Sequence, residues 1–301
     1  MKILIIDGSN LLFRAYWVAE TRPKFLNSQG QWTGPLFLFL KSLKSLQDKF
    51  SPSETFVCWD KKLKYPSTNF RKQLAAETYK QTRDSELASK VHEQHGLVES
   101  WLKDLGVKQM YPWCLEADDV ISWLSMEKCS SSTIVTVDQD LLQLVNEHTH
   151  FYNPHKKKLI TSENFEEEFE VPVKHFVYYK ALLGDRSDNI DGIEGYGTVK
   201  SKRLALEGYD GIKKSLNDVQ QEKFDKNILL IDLLGSYNKE EGEVECYQKQ
   251  YDEAKFLKTN IKEFERKCLE AEFYSIVKNL DSWKESFVRS QNLIDLISQL
   301  K

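Results

Sequence analysis

The sequence contains no apolar run approaching the roughly 20 residues of a membrane-spanning helix, and its apolar start is followed at once by Asp7. We therefore expect neither a transmembrane segment nor a secretory signal peptide. The five cysteines are scattered, odd in number and never spaced as CxxC, which excludes a zinc ribbon and predicts reduced thiols in a cytosolic protein. The six histidines show no HExxH or Cys/His spacing. A low-complexity linker and internal repeats are also absent.

The overall composition is that of a soluble globular protein. A chain of 301 residues with 41% hydrophobic and 29% charged residues can bury a real core, in one large or two modest domains. The net charge of −4 argues mildly against a nucleic-acid binder. That argument is weak, because acids that bind metal lower the sum and because nucleic-acid binding depends on local patches.

Acidic residues stand at the ends of short apolar runs. Asp7 follows ILII, Asp60 follows FVCW and Asp138 follows IVTV. Such runs predict strands buried on both faces of a parallel sheet, in which the functional site lies beyond the carboxyl ends of the strands. Carboxylates crowded there would repel one another unless cations lay between them, and hard oxygen ligands favour Mg²⁺ or Mn²⁺ over zinc. The pattern indicates metal-assisted phosphate chemistry.

Further acids stand at predicted helix starts and in a turn-rich segment. EADD at 116–119 begins a predicted helix, and DQD at 138–140 follows a predicted strand. Each also has an ordinary interpretation, as N-terminal charge bias or as helix capping. With GDRSD at 184–188 they complete a set of nine: Asp7, Asp60, Glu116, Asp118, Asp119, Asp138, Asp140, Asp185 and Asp188.

The periodicity divides the chain into two parts. Strands and helices alternate up to about residue 162, with a helix over 36–50, a strand over 133–137 and a helix over 92–105 interrupted by Gly96. Residues 61–95 are polar and predict an exposed excursion. Beyond 162 the sequence is mainly helical, so we expect one α/β domain over 1–173 and a helical one over 174–301.

Two segments favour binding to nucleic acid. Residues 61–83 carry seven basic residues against one acid, a local charge of +6 with interleaved aromatics, which suits single-stranded nucleic acid. The alternative is a solvated basic face. GIEGYG at 192–197 begins a basic helix, and its glycines allow backbone amides to approach phosphates. It predicts a hairpin between helices that grips a DNA backbone, and the alternative is a plain helix–helix turn.

The motifs together resemble one family. In order they are IIDGSNLLFRAYW, TGPLFLFLKSL, VCWD, FRKQLAAETYKQTR, LEADDVI, VDQDLLQLV and ALLGDRSDNIDGIEGYG, over roughly residues 1–200. The chain resembles the structure-specific 5′-nucleases, which include phage flap endonucleases and the 5′-nuclease domain of bacterial family-A DNA polymerases. The resemblance implies an α/β fold with a mainly parallel, PIN-like central sheet, a helical arch at about 61–95 and a helix–three-turn–helix at about 176–210.

The resemblance also implies two Mg²⁺ sites, which Mn²⁺ could fill. The first would consist of Asp7, Asp60, Glu116 and Asp118. The second would consist of Asp119, Asp138, Asp140, Asp185 and Asp188, with Asp118 possibly shared. Among these acids, the ones assigned to catalysis are Asp7, Asp118, Asp138 and Asp185.

DNA contacts are implied in both basic segments. Lys80 and Arg83 of the arch would reach the scissile phosphate, beside Tyr79 and Arg71. The hairpin would grip duplex DNA, often through a bound K⁺, with the residues Gly192, Gly195, Gly197, Lys200, Lys202 and Arg203.

The predicted function is therefore Mg²⁺-dependent hydrolysis of DNA, or of an RNA primer on DNA, near the 5′ end of a flap or nicked duplex. The alternatives are a non-catalytic DNA-junction binder and a PIN-like ribonuclease. We expect a monomer in the cytosol of a bacterium or a phage-infected host. Residues 287–301 have helical spacing, which is typical of a terminal helix packed on the body; the alternative is a docking peptide for a sliding clamp or single-strand binding protein.

Overall fold

A six-stranded sheet forms the centre of the computed structural model, which describes residues 2–63, 69–75 and 85–288. The strand order is β3-β2-β1-β4-β5-β6, and β1 to β5 are parallel while β6 pairs antiparallel with β5. The strands are β1 Lys2–Asp7, β2 Glu54–Cys58, β3 Lys108–Met110, β4 Ser131–Val135, β5 Thr149–Asn153 and β6 Lys158–Ile160. The expected mixed α/β fold with a mainly parallel sheet is confirmed.

Helices cover both faces of this sheet. A helix without a number spans 280–288, at the end of the described residues, and the others are numbered in chain order. They are α1 Gly8–Glu20, α2 Gly34–Phe50, α3 Phe70–Ala75, α4 Ser85–Asp104, α5 Ala117–Trp123, α6 Phe165–Phe169, α7 Val173–Leu183, α8 Thr198–Ala205, α9 Gly208–Ser215, α10 Asp218–Ile231, α11 Glu243–Ala254, α12 Ile261–Glu270 and α13 Tyr274–Val277. Short 3₁₀ helices span Asp140–Leu144 and Ser236–Lys239, and a two-stranded hairpin joins β7 Gly184–Asp185 to β8 Ile190–Asp191.

Side chains of β1 alternate between two cores. Leu4 and Ile6 pack in a core with α1, α2, α4, α12 and α13, whereas Ile3 and Ile5 pack in a core with α5, α7 and α11. All four are fully buried, because successive side chains of a strand point to opposite faces and both faces are covered. A third core lies among α7, α8, α9 and α10. The sheet is therefore enclosed between two cores, and the third core lies in the helices that follow it.

Two expectations about local structure were wrong, and one strand was missed. Gly96 does not interrupt its helix, since α4 runs through it: the cost of a helical glycine is about 1 kcal/mol, which the burial of Val98 and Trp101 offsets. The segment 61–95 is not wholly exposed, because Arg71 and His95 are buried. Strand β3 was not predicted.

Within the described ranges, none of the helices is long and apolar enough to cross a membrane. Near the end of the described residues, Phe287 is buried and its ring stacks on that of Trp283. Of the segment 287–301, predicted to form a terminal helix, residues 289–301 lie outside the described part of the chain, so that prediction stays open.

Candidate active site

Three neighbouring strands bring Asp7, Asp60 and Asp138 to one rim of the sheet. β1 lies between β2 and β4; Asp7 ends β1, and Asp60 and Asp138 follow the other two strands closely. Thr136 joins two of these acids: its hydroxyl donates to Asp7 Oδ2 (2.9 Å), and its Oγ1 accepts from the amide of Asp138 (3.0 Å). The predicted meeting of these carboxylates follows directly from the parallel register.

The carboxylates on this rim repel one another. Burial, and next to it the charge of Asp60, raise the pKa of Asp7 to about 7, and Asp138 adds to the effect. The thiol of Cys58, paired with Asp7 across the sheet, has its pKa raised by burial and then by Asp7 and Asp118. Asp118 therefore belongs electrostatically to the same rim. A divalent cation there would relieve the repulsion.

Asp7 also caps the helix that follows it. Its Oδ1 accepts from the amide of Asn10 (2.9 Å), which satisfies a free donor in the first turn of α1. The start of α1 can pack this closely against β2 only because residue 8 is glycine: a Cβ there would lie 2.5 Å from Cγ1 of Val57. Asp7 therefore both caps α1 and lies on the rim.

Glu116 and Asp118 lie at the start of α5. Glu116 is the N-cap, and the amide of Ala117 donates to Asp60 Oδ1 (3.0 Å), so that Asp60 is tied to the beginning of this helix. Glu116 is buried and Asp118 is half-buried. The helix start and the strand ends therefore form a continuous acidic surface.

Asp119 does not join that surface, which corrects the expectation that it binds metal. Its side chain is 0% exposed and forms a bidentate ion pair with Arg71 (2.7 and 2.9 Å). Its carboxylate also accepts from the hydroxyl of Ser236 and from the amide of Glu116. All its acceptor capacity is directed into the protein.

The same pair corrects the assignment of Arg71 to DNA binding. The Arg71 side chain is 1% exposed, and besides Asp119 it donates through Nε to the carbonyl of Leu230 (3.1 Å). A guanidinium enclosed in this way does not meet a phosphate. Tyr79, Lys80 and Arg83, the other predicted arch residues, lie outside the described residues.

A second group of acidic residues surrounds Lys180. The acids were predicted from the sequence, but Lys180 was not. The ammonium of Lys180 contacts Asp140 Oδ1 (2.9 Å) and Asp185 Oδ2, and all three side chains are largely buried. Burial alone would lower the pKa of Lys180, but Asp140 and Asp185 raise it above its usual range. Burial raises the pKa of Asp140 to about 7, against the attraction of Lys180.

Asp185 is the stronger partner of this cation. Burial alone would raise its pKa, but Lys180 and the hydroxyl and amide of Ser187 lower it to about 2. Asp188 lies in the turn that joins β7 to β8 and is half-buried. The amide of Asp140 donates to Asp138 Oδ1 (2.9 Å), which connects this group to the rim.

The fit to a metal rests on the type and charge of these donors. Within residues 2–63, 69–75 and 85–288, no three Asp, Glu, His or Cys side chains are placed closely enough to hold one ion. The donors nevertheless suit a hard divalent cation, because they are carboxylate oxygens. Burial, and next to it repulsion by Asp60, raise the pKa of Asp7, and a bound cation would offset both effects. The acids around Lys180 already attract a positive charge. We conclude that the residues fit divalent metal.

The glycine-rich turn precedes a basic helix, as predicted. Gly197 is the N-cap of α8, and a Cβ on Gly195 (φ +85°) or Gly197 would meet nothing within 4 Å. Gly192, in contrast, lies against the carbonyl of Leu183, where a Cβ would be 2.2 Å away. Gly192 is therefore required for packing, and the open backbone lies at the other two glycines.

The basic residues of α8 differ in their surroundings. Lys200 and Arg203 are exposed, whereas the ammonium of Lys202 pairs with Glu170 Oε2 at 2.5 Å. Two further residues went unnoticed in the sequence. Lys180, a lysine among the apolar and aromatic residues of the second half of α7, was a signal that could have been used, whereas buried Glu243 gave none.

Comparison with known proteins adds three findings. The family described as "5'-3' exonuclease, N-terminal resolvase-like domain" matches residues 2–170. The "5'-3' exonuclease" of Bacillus subtilis is 32% identical over 225 residues, which cover 72% of this chain and 74% of that protein. The "DNA polymerase I" of Streptococcus pneumoniae strain R6 is 30% identical over 241 residues, or 76% of this chain but 26% of the polymerase.

Among solved structures, the T5 5'-exonuclease with bound divalent metal ions (zinc) is similar in fold. It has a TM-score of 0.66 at 19% identity, over 85% of this chain and 99% of that one. At this identity the likeness concerns the fold alone.

Proposed function

Because the chain belongs to the 5′-3′ exonuclease family and is a nuclease, we propose that it is a metal-dependent, structure-specific 5′-nuclease. It would hydrolyse phosphodiester bonds near the 5′ end of branched or nicked duplex DNA, or of an RNA primer on DNA. The observation that carries this proposal is the rim of Asp7, Asp60 and Asp138 at the ends of adjacent parallel strands, inside the segment that matches the family.

Two Mg²⁺ ions, replaceable by Mn²⁺, fit this chemistry best, because Mg²⁺ prefers carboxylate oxygens and keeps several waters. The residues that would hold them are Asp7, Asp60, Glu116, Asp118, Asp138, Asp140, Asp185 and Asp188. When bound, such ions activate a water and neutralise charge on the reacting phosphate. The similar T5 protein was solved with divalent metal ions, which supports a metal-dependent mechanism.

The chain's own residues keep these acids in place. Thr136 holds Asp7 and Asp138 in fixed relative positions, and the amide of Ala117 holds Asp60. Lys180 keeps Asp140 beside Asp185 although both are largely buried. This preorganisation allows the site to stabilise charge without first rearranging.

We propose two DNA contacts besides the metal site. The open glycine turn and α8, part of a helix–three-turn–helix at about 176–210, would bind the duplex backbone, with K⁺ as a possible ligand of the turn. This segment would belong to a DNA-binding unit over 174–301. Lys80 and Arg83, with Tyr79, would contact the displaced 5′ strand. A T5 flap endonuclease of similar fold is described in complex with DNA and metal ions, which supports DNA as the partner.

Two finer expectations belong to the same proposal. The nuclease would act as a monomer, and residues 287–301 would form a terminal helix or dock on a clamp or single-strand binding protein. Stimulation of cleavage by a partner, lost on deletion of residues 289–301 without a change in melting temperature, would favour docking.

A matched pair of substrates tests the function. A 5′-flap and a 3′-flap duplex of the same sequence are incubated with Mg²⁺ or with EDTA, and the products are mapped. We expect cleavage of the 5′-flap near its junction with Mg²⁺ alone, and its loss in Asp138→Asn, which removes a charged ligand but preserves size. Binding without cleavage would indicate a junction-binding protein, and cleavage of single-stranded RNA alone would indicate a ribonuclease.

A further inference from the structure

The loop that leads into the site has an unusual backbone. The amides of residues 113–117, five in succession, all donate to carboxylates: residues 113–115 to Glu243, and the next two to Asp119 and Asp60. Three carboxylates therefore satisfy every backbone amide of this run. Because this run ends at the start of α5, its conformation determines where the acids of that helix are presented.

Glu243 provides most of this support from a distant part of the chain. It is the first residue of α11, is 0% exposed, and accepts from Trp113, Cys114 and Leu115 at 3.0, 2.5 and 2.7 Å. A buried carboxylate is stable only if it is well hydrogen-bonded, and these three bonds fulfil that need. The loop depends on the same bonds: without Glu243, three of its backbone amides would lose their acceptor, which costs free energy in a buried segment.

We propose that Glu243 is a positioning residue of the nuclease site, which fixes the loop 113–115 and so places Glu116 and Asp118 for divalent metal. This inference rests on the proposed function, which supplies the metal. It makes α11, a helix far along the chain from the sequence motifs, a component of the metal site. Residues that hold metal ligands without touching the metal typically alter its affinity by about 10–100-fold.

The test compares two variants of the same helix. Glu243→Gln keeps the size of the side chain but turns an NH₂ group toward an amide donor, whereas Glu245→Gln removes an exposed charge from the same first turn. Mn²⁺ affinity is measured at a temperature well below unfolding. We expect Glu243→Gln to bind Mn²⁺ about 10-fold more weakly and Glu245→Gln to match the unchanged chain. A less stable Glu243→Gln with unchanged Mn²⁺ affinity would overturn the inference.

A second measurement uses the unchanged chain, so that it stands even if Glu243→Gln does not fold. Coupling between two sites is reciprocal, so Mn²⁺ should slow hydrogen exchange at the amides of Cys114 and Leu115. Bound Mn²⁺ with unaltered exchange would contradict the proposal for Glu243 while leaving the nuclease function intact. A chain that binds no Mn²⁺ and cleaves no 5′-flap would overturn both.

Discussion

Asp7 has two properties that conflict in the absence of metal. It caps α1, yet burial, and next to it the charge of Asp60, raise its pKa from 3.8 to about 7. In this window the folded state binds more protons than the unfolded state, so the free energy of unfolding falls as the pH rises. We predict that in EDTA the melting temperature declines between pH 4 and 7, and that Asp7→Asn removes part of this decline.

Added Mg²⁺ should reverse that decline, since the ion favours the ionised carboxylate and its binding releases protons. Melting curves of both proteins from pH 4 to 8, with and without Mg²⁺, measure the effect. A pH profile that is the same for Asp7→Asn and the unchanged chain in EDTA would refute it.

Lys180 supplies the only cation found between Asp140 and Asp185 in the part of the chain described. Its side chain is 11% exposed, and removing one partner of a buried ion pair typically costs about 3–5 kcal/mol. We predict that Lys180→Met lowers the melting temperature in EDTA, and that Mg²⁺ restores more stability to this variant than to the unchanged chain. Lys174→Met, an exposed lysine on the same helix, is the control. Equal stabilisation of all three proteins by Mg²⁺ would show that the ion does not replace the ammonium.

At the scale of elements, Arg71 ties α3 to α5 and α10. Its ion-pair partner Asp119 is 48 positions away along the chain, and Leu230, whose carbonyl accepts its hydrogen bond, is 159 positions away. We predict that Arg71→Met lowers stability by about 3–5 kcal/mol, because it leaves Asp119 charged and buried, and that adding Asp119→Leu recovers much of the loss. Chemical unfolding of the single and double variants measures both effects, with exposed Lys72→Met as the control. Weaker DNA binding at unchanged stability would instead restore the original assignment of Arg71.

The strands and helices also show which parts of the fold the sequence could predict and which it could not. Buried parallel strands were predictable, since continuous apolar runs have few other uses, and with them came the rim of acids. Strand β3 has only three residues, too few for a periodic signal. The partners of Arg71 and Glu243 depend on contacts between segments up to 159 positions apart, which no local pattern encodes. Asp119 was misassigned for this reason: EADD gives no sign that its last acid points inward.

At the scale of the whole molecule, a protein of net charge −4 would need a local concentration of positive charge to bind the proposed DNA substrate. In the described part of the chain, α8 is one such place, and its basic residues are not equivalent. Lys200 and Arg203 face solvent, while Lys202 is paired with Glu170. Each exposed cation that contacts a phosphate releases counterions, so its loss weakens binding to all duplexes alike and makes the salt dependence shallower by about one.

We therefore predict that Lys200→Ala and Arg203→Ala weaken duplex binding and reduce the salt slope, whereas Lys202→Ala changes both less. Glu170→Gln should strengthen binding, because it frees the ammonium of Lys202 for a phosphate. Kd values for one duplex at several salt concentrations, with Ca²⁺ in place of Mg²⁺ to limit cleavage, give the slopes. If Glu170→Gln left the Kd and the slope unchanged while Lys202→Ala matched Lys200→Ala, the pair with Glu170 would be irrelevant to binding and all three cations would contact DNA equally.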